Sequence, residues 1–600
     1  MKYLLQISIG PIQEFIASAR RTSDLWYGSK ILSDISKEVA KSIQGDGKDL
    51  IFPNKEQIKD DNENTANISN IILAEIEIPQ GKQTQAEKMV QEIYKDAENA
   101  GEKKWKELAN LKFLEDAIKQ NIRDNIDMEL FNTQIKDAIE FYAAAVPISN
   151  DDYQEARKKL VRIFAGRKAL RNFEQSKGKN IPKSSLDGRR ESVLKKDFNI
   201  QGIIKSKELK NSEQLCAIGL IKRINGLEQR YPSVARITAD YWIRQVKDSS
   251  EFIKFKETCE NLGLKKIRKS SQSNYYDDFP FDGSFLFEDR YPQLKEEGYI
   301  DDDKEKELKK CLNAFKEKSF KKKYGTIYPY FAIIQADGDK MGAFISSIQK
   351  KEDHKDFSRI LADFSKEVKG IVEKYHGVCV YAGGDDVLAF LPLDCALDCA
   401  RELRNEFFKE EKNTKKPTLS VGISIGHFME PLEDLRDYAN RAEKLAKNND
   451  DEDETKRKNG LAITINPRNG GNFHIREQWK TKDNELSLDN KIKKFAQLFI
   501  DKKLPTKLPY DLRTLATSLK YRQITGKNEK TEADKEMNQN IIQQEIKILL
   551  KRKQQNTESI KEVIRPRIEA IKTLEDLFDF AEEMLVSQWF AMGKQVKEGE

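Results

Sequence analysis

The 600-residue sequence holds only six cysteines and four histidines, and no two cysteines form a C-x-x-C pair. Neither a disulfide framework nor a zinc ribbon is expected from that distribution. Cys395 and Cys399 stand four apart on a predicted helix and read as part of its apolar face, not as metal ligands. An excess of one charge is also missing, with 106 Lys and Arg against 100 Asp and Glu. A uniformly polycationic nucleic-acid binder is thereby excluded, whereas a local basic groove or an acidic metal site is not. No segment approaches the roughly 18 apolar residues of a membrane helix, and the opening residues lack a signal-type apolar run and cleavage site. The expected location is the cytoplasm, with no membrane partner.

The hydrophobic fraction of 38% is low but sufficient for several cores. The length implies roughly three to five domains. A strand-like run from Tyr3 to Ile9 breaks at Gly10-Pro11, and Ile12, Phe15, Ile16 and Ala19 then recur at helical spacing. Further strands are expected at Ile71–Ile78 and Phe141–Val146, with a helix from Asp152 to Phe173 and a polar, helix-prone insertion over residues 83–125. Residues 1–200 therefore read as one α+β domain. Residues 201–325 read as mostly helical, with an irregular stretch at Asn274–Tyr291 and a basic run at Lys316–Lys323 taken as a solvated linker.

Over residues 326–480 the pattern is clearest. A strand at Tyr330–Ala336 precedes an amphipathic helix at Phe357–Tyr375, a hairpin of Val378–Ala382 with Val387–Leu391, and a helix at Asp394–Phe408. A strand at Leu419–Ile425, a helix at Leu432–Lys447 and a strand at Leu461–Ile465 complete it. The order βαββαβ is the ferredoxin-like split motif with an appended αβ. The hydrophilic loop Asn448–Asn459 is expected to be mobile. From residue 481 to 600 strands disappear, and four periodic segments predict a helical bundle.

In a βαββαβ sheet the first strand ends at the same edge as the turn between the second and third strands. Here that strand end is Ala336-Asp337-Gly338-Asp339-Lys340 and that turn is Gly383-Gly384-Asp385-Asp386. Asp337, Asp385 and Asp386 thus converge, as hard divalent cations in phosphoryl chemistry require. Gly383 and Gly384 supply a tight turn and let backbone approach a nucleotide, and Gly338 opens a helix whose first amides are candidates for binding phosphate. Asp339 is a neighbouring candidate for the same nucleotide site, and Lys340 and Lys447 are candidate phosphate contacts. The competing reading of Gly-Gly-Asp-Asp is an ordinary hairpin turn.

The tip Tyr381-Ala-Gly-Gly-Asp-Asp386 in such a sheet resembles nucleotide cyclases of the GGDEF class, and more closely the large palm-domain subunit of type III CRISPR effector complexes. The opening Ile7-Ser-Ile-Gly-Pro-Ile-Gln-Glu-Phe15 with Ala19-Arg-Arg-Thr-Ser-Asp-Leu-Trp26 looks like the Cmr branch (type III-B) of that family. Tyr142-Ala-Ala-Ala-Val-Pro147, Ser185-Leu-Asp-Gly-Arg-Arg-Glu-Ser192 and Leu215-Cys-Ala-Ile-Gly219 extend the match. The resemblance implies an α+β chain of two ferredoxin-like palms, a degenerate first and an active second, with helical domains between them and at the C-terminus. It also implies a metal-dependent nucleotidyltransferase that uses Mg²⁺ or Mn²⁺ to make an adenylate second messenger from ATP once target RNA is recognised. Catalytic and metal-binding roles fall on Asp337, Asp385 and Asp386, and the implied partners are other Cmr-type subunits, guide RNA and target RNA.

Cyclic oligoadenylate is the implied product, and transfer of AMP to another acceptor such as S-adenosylmethionine is the alternative. From another class, a non-catalytic scaffold is the rival, while a GTP-using cyclase is disfavoured because Val387 follows Asp386. Departures from the family pattern matter. No histidine is followed by aspartate, so cleavage by an HD nuclease is not expected. Gly219 stands where the family's zinc motif has its second cysteine after Cys216, so zinc is not expected. In the first palm the strand end Ser8-Ile9-Gly10-Pro11 has no carboxylate for a metal, Arg20 and Arg21 read as solvated or interfacial, and Trp26 reads as core.

Overall fold

The structure, a computed structural model, describes residues 1–59, 68–110, 125–170, 178, 180–195, 213–226, 231–264, 266–267, 275–407, 417–479, 487–525, 532–552 and 558–594. The first sheet has the order β2-β3-β1-β4, all antiparallel, from β1 (Lys2–Gly10), β2 (Lys48–Phe52), β3 (Ile71–Glu77) and β4 (Glu140–Ile148). Strand β1 is buried almost throughout because both faces are covered, Gln6 and Ser8 included. Leu5, Ile7 and Ile9 point to one core with helices α1 (Thr22–Ser42) and α2 (Ala86–Ala109), and Leu4 points to another under α3 (Tyr153–Ala169).

The segment expected as an insertion supplies the second helix of this palm. Val90, Ala97 and Trp105 of α2 are buried in the core, and Gly101 lets Phe141 and Val39 close in. Small residues on a narrow stripe make that apolar face hard to see in the sequence, and residues 111–124 lie outside the described residues. Strand β2, which was not anticipated, completes a second βαββαβ unit.

Helix α4 (Ala217–Asn225) also packs into the first palm's core through Ile218 and Ile221, although it lies beyond residue 200. Arg223 is buried and pairs with Asp24 at 2.9 Å and Glu213 at 2.8 Å. The middle region has its own aromatic core around Trp242, Phe252, Phe255, Phe279 and Phe315. Its irregular segment is part of that core, since Phe279, Phe281 and Tyr291 are fully buried. The basic run forms a short helix at Lys318–Tyr324, and Lys316 pairs with Glu288.

The second sheet has the order β10-β9-β8-β5-β7-β6, from β5 (Tyr330–Gly338), β6 (Val378–Gly383), β7 (Asp386–Leu391), β8 (Leu419–His427), β9 (Gly460–Asn466) and β10 (Phe473–Gln478). Only β8 and β9 run parallel. Helices α5 (Lys351–Lys374) and α6 (Ala396–Phe407) pack with its main apolar core, and α7 (Leu432–Lys447) lies with the smaller cluster around Phe331 and Ile333. Cys399 is buried in the main core, as the apolar reading of α6 expects. Strand β10 is an addition to the sequence reading.

The loop Asn448–Asn459, expected to be mobile, is pinned. Lys458 N–H donates to Lys447 O at 2.8 Å, and Asn459 N–H donates to Asp339 Oδ2 at 2.8 Å. Hydrogen bonds reach the loop from Arg476 and Gln478 on β10, the strand that the sequence reading lacked.

The two palms meet reciprocally: α1 packs on β6 of the second, and α5 packs on β2 of the first. Lys351 pairs with Asp49 at 3.0 Å and Glu75 at 2.9 Å, and Tyr153 Oη lies 2.6 Å from His354 Nδ1. The C-terminal segment is helical at Leu488–Ile500, Leu508–Thr525, Glu532–Arg552, Glu558–Glu569 and Leu574–Lys594, with Phe495, Phe580 and Leu585 among its buried side chains. Among the described residues no helix is long and apolar enough to cross a membrane.

Candidate active site

The register brings the predicted acids together. Ala336 of β5 lies opposite Val387 of β7, and Gly383 of β6 lies opposite Asp386, so Asp337 emerges beside the hairpin tip. Asp337 is hydrogen-bonded with Asp386. Asp385 folds back on β5, where a Cβ added to Gly338 would lie 2.7 Å from its Oδ2. Only glycine at 338 allows that approach. Gly384 adopts φ +68°, a left-handed conformation that glycine enters without a Cβ clash, and its carbonyl accepts from Ser365 Oγ of α5 at 3.1 Å. Gly383 leaves room for the Tyr381 phenol, which turns back against it.

Crowded carboxylates cannot all ionise cheaply. Burial, then the charge of Asp337, pushes Asp385 up to about 7, although Lys447 and two backbone N–H groups pull the other way. Asp386 sits at the exposed tip and is raised well above the usual carboxylate range by dehydration from the surrounding chain, the hydrogen bond with Asp337 and the charge of Asp385. Lys447, at the end of α7, pairs with Asp337 and with Glu443 at 2.8 Å. Burial lowers its pKa, but those two hydrogen bonds outweigh burial and raise it.

Asp339 departs from the sequence reading. It is 2% exposed, and its carboxylate is occupied by Thr418 Oγ1 at 2.7 Å, Ser420 Oγ at 2.8 Å and Asn459 N–H at 2.8 Å, from all of which it accepts. Its own N–H donates to Thr418 O at 2.7 Å. The side chain fastens β5, the start of β8 and the loop before β9, and is a positioning residue. Lys340 is exposed with φ +54° at the start of the short helix Met341–Ser347, beside the cluster in sequence. Glu443 and Ser365 escaped the sequence reading, and Tyr381 entered it only as the first residue of the hairpin-tip motif, with no role assigned. The i, i+4 spacing of Glu443 and Lys447 was an available signal for the first, whereas the other two depend on packing. In the first palm the strand end at Gly10 faces the Tyr142 ring. Trp26 is half-buried there, packed on Tyr231 at 4.8 Å between ring centres.

Among the described residues no group of three or more His, Cys, Asp or Glu side chains is arranged as a ready metal cage. The donor set nevertheless fits a hard divalent cation: three carboxylates converge, at least one holds a proton near neutrality, and an ammonium lies against Asp337. Such an ion would compete with that proton and with Lys447. The apparent affinity for Mn²⁺ is therefore expected to rise about fivefold between pH 6 and 7, and more gently above that as Asp385 loses its proton. Titration of the full chain by Mn²⁺ electron paramagnetic resonance measures this, and a flat profile would contradict the shared-proton arrangement.

Comparison with known proteins locates the same regions. The family model "Cas10/Cmr2, second palm domain" matches residues 330–456, and the model "CRISPR-associated protein Cmr2, N-terminal" matches residues 4–110. The CRISPR system Cmr subunit Cmr2 of Pyrococcus furiosus is 28% identical over 535 residues, covering 73% of this chain and 59% of that protein. The chain thus aligns with less than two thirds of that relative's length. Among solved structures, a chain of the type III-B Cmr-beta complex in its apo state matches with a TM-score of 0.63 at 14% identity, covering 99% of this chain and 82% of the other. A chain of the Cmr-beta complex bound to cognate target RNA matches at 0.58 and 14% identity, covering 99% and 83%. At that identity the structural matches establish the fold. Residues 4–110, around the first sheet, thus match the Cmr2 N-terminal family model, and residues 330–456, around the converging aspartates, match the Cas10/Cmr2 second palm.

Proposed function

We propose that this chain is the large subunit of a type III-B CRISPR effector complex and a metal-dependent nucleotidyltransferase that makes an adenylate second messenger from ATP when target RNA is bound. The observation that carries the reading is the meeting of Asp337 with Asp385 and Asp386 beside a glycine-lined turn. The family of its second palm and the relatives' Cmr complexes, one of them bound to target RNA, support the wider assignment.

Asp337, Asp385 and Asp386 would hold Mg²⁺ or Mn²⁺, which when bound supplies charge neutralisation at the α-phosphate and lowers the pKa of the attacking hydroxyl. In the transfer a hydroxyl oxygen bonds to the α-phosphorus of ATP while the bond to the bridging oxygen breaks and pyrophosphate leaves. Gly383 and Gly384 give backbone access to the nucleotide at the tip. Lys447, displaced from Asp337 but still held by Glu443, is free to meet phosphate oxygens. Asp339 keeps Asp337 and the turn after α7 in register through Thr418, Ser420 and Asn459. The attacking hydroxyl comes from a second ATP, giving cyclic oligoadenylate, or from an acceptor such as S-adenosylmethionine.

Mass spectrometry of the assembled complex incubated with ATP, Mg²⁺ or Mn²⁺ and a metabolite extract, with and without target RNA, tests the proposal. A target-dependent adenylate is the expected product, and its mass identifies the acceptor. No product from an intact, target-bound complex would favour the scaffold instead.

A further inference from the structure

The aspartate site makes no use of the sequence motifs around Arg20-Arg21 and Ser185-Leu186, yet the fold brings both to one cavity. A hollow of about 530 Å³ lies where the start of α1, the middle region and the turn between β8 and α7 meet. That volume is in the range of small-ligand sites. It opens at the far end of the second sheet from the aspartates. Tyr330 pairs with His427 at the hollow's end and Asp337 pairs with Ser420 at the other, seven residues along β5, or about 23 Å.

The charges in its wall are not evenly spent. Glu213 is taken by Arg223 at 2.8 Å, and Asp282 accepts from Ser284 N–H at 2.8 Å and Ser233 Oγ at 3.0 Å. Glu297 accepts from Gln293 at 2.6 Å, Glu430 lies 3.6 Å from Arg468, and Glu433 is exposed in the field of Arg189. By contrast, Arg20 and Arg290 make no ion pair among the described residues, and Nε of Arg290 is buried without a hydrogen-bond partner. A buried guanidinium N–H left unpaired costs free energy that an acceptor would recover. The same cavity is lined by Tyr299, hydrogen-bonded with Arg21, and by Phe428, which packs against Phe287 and His427. A cavity that combines guanidinium groups with aromatic side chains suits a phosphate joined to a planar base.

We propose that this cavity is a second ligand site, separate from the aspartates, for a phosphorylated molecule of mononucleotide size. Because arginines carry the charge, binding needs no metal. Because the wall is built from both palms and the middle region, the ligand bridges all three.

Calorimetric titration of the full chain carrying Asp385→Ala and Asp386→Ala, in EDTA, tests the proposal without interference from the metal-dependent site. The probes are AMP, GMP, CMP and UMP, with the matching nucleosides as controls. At least one mononucleotide is expected to bind saturably at one site, with its nucleoside at least tenfold weaker. Arg290→Gln should weaken that binding tenfold or more, and so should Arg20→Gln, whose exposed position leaves folding intact. Failure of all four mononucleotides to bind, or affinity unchanged in both arginine variants, would overturn the proposal.

Discussion

The Asp385→Ala, Asp386→Ala double variant is expected to lose adenylate synthesis by about a thousandfold or more while still assembling and binding RNA. The magnitude follows from removing carboxylates whose cations would offset several kcal/mol of transition-state charge, each 1.4 kcal/mol being about tenfold in rate. Stability should move the other way. Asp385 titrates at about 7 in the fold against about 3.9 in an unfolded chain, so the folded state holds a proton that the unfolded state has released. A carboxyl raised in the fold favours folding most at low pH, and that contribution is lost as pH rises from about 4 through 7. Alanine removes this cost, so the variant should gain stability over the parent, and gain more at pH 8 than at pH 5. Product assay and urea midpoints at both pH values check the two halves. Retained synthesis would remove the site assignment, and a variant that unfolds more easily at pH 8 would contradict the crowding of these carboxylates.

Asp339→Ala should do the reverse, failing first as a folding change. Three donors, from Thr418, Ser420 and Asn459, converge on this carboxylate at 2.7–2.8 Å inside the protein. Hydrogen bonds to a charged acceptor are worth about 1.5–3 kcal/mol each, and stranded buried donors add their own cost. A loss of about 3–5 kcal/mol in the second palm is expected, although the three contributions are coupled and do not simply add. Because Asn459 ends the loop after α7, release should be visible as faster tryptic cutting at Lys456, Arg457 and Lys458. Asp339→Asn, which keeps two acceptor positions on one oxygen, should recover part of the protection. Unchanged cleavage in Asp339→Ala would show that the loop is held by its contacts with Arg476 and Gln478 instead.

Much of the second palm was legible because its pattern is local. The strands at Tyr330, Val378, Val387 and Leu419 are apolar runs ended by Asp, Gly or Pro, and α7 matches the expected helix at both ends. The first palm was harder. Strand β2 spans only five residues, and α2 buries mostly small side chains, so neither carries enough periodic signal to stand out from polar surroundings. The helical start of α5 at Lys351 was also hidden, since its first turns use Lys351 and Lys355 against Asp49 of the first palm in place of an apolar stripe.

The sequence by itself determined that Asp337 and the Gly-Gly-Asp-Asp turn would share one sheet edge, because strand order in a βαββαβ unit leaves no other arrangement for them. The tertiary structure decided what each neighbour does. Asp339 is two residues from Asp337 and chemically identical, yet β5 ends at Gly338, and the donors brought in from Thr418, Ser420 and Asn459 make one a candidate ligand and the other a buried fastener. Lys447, 110 positions further on, becomes the partner of Asp337 only because α7 returns along the sheet to the same edge. Periodicity fixes which face of an element is apolar, whereas the partners of a charge are set by distances between elements that no local pattern encodes.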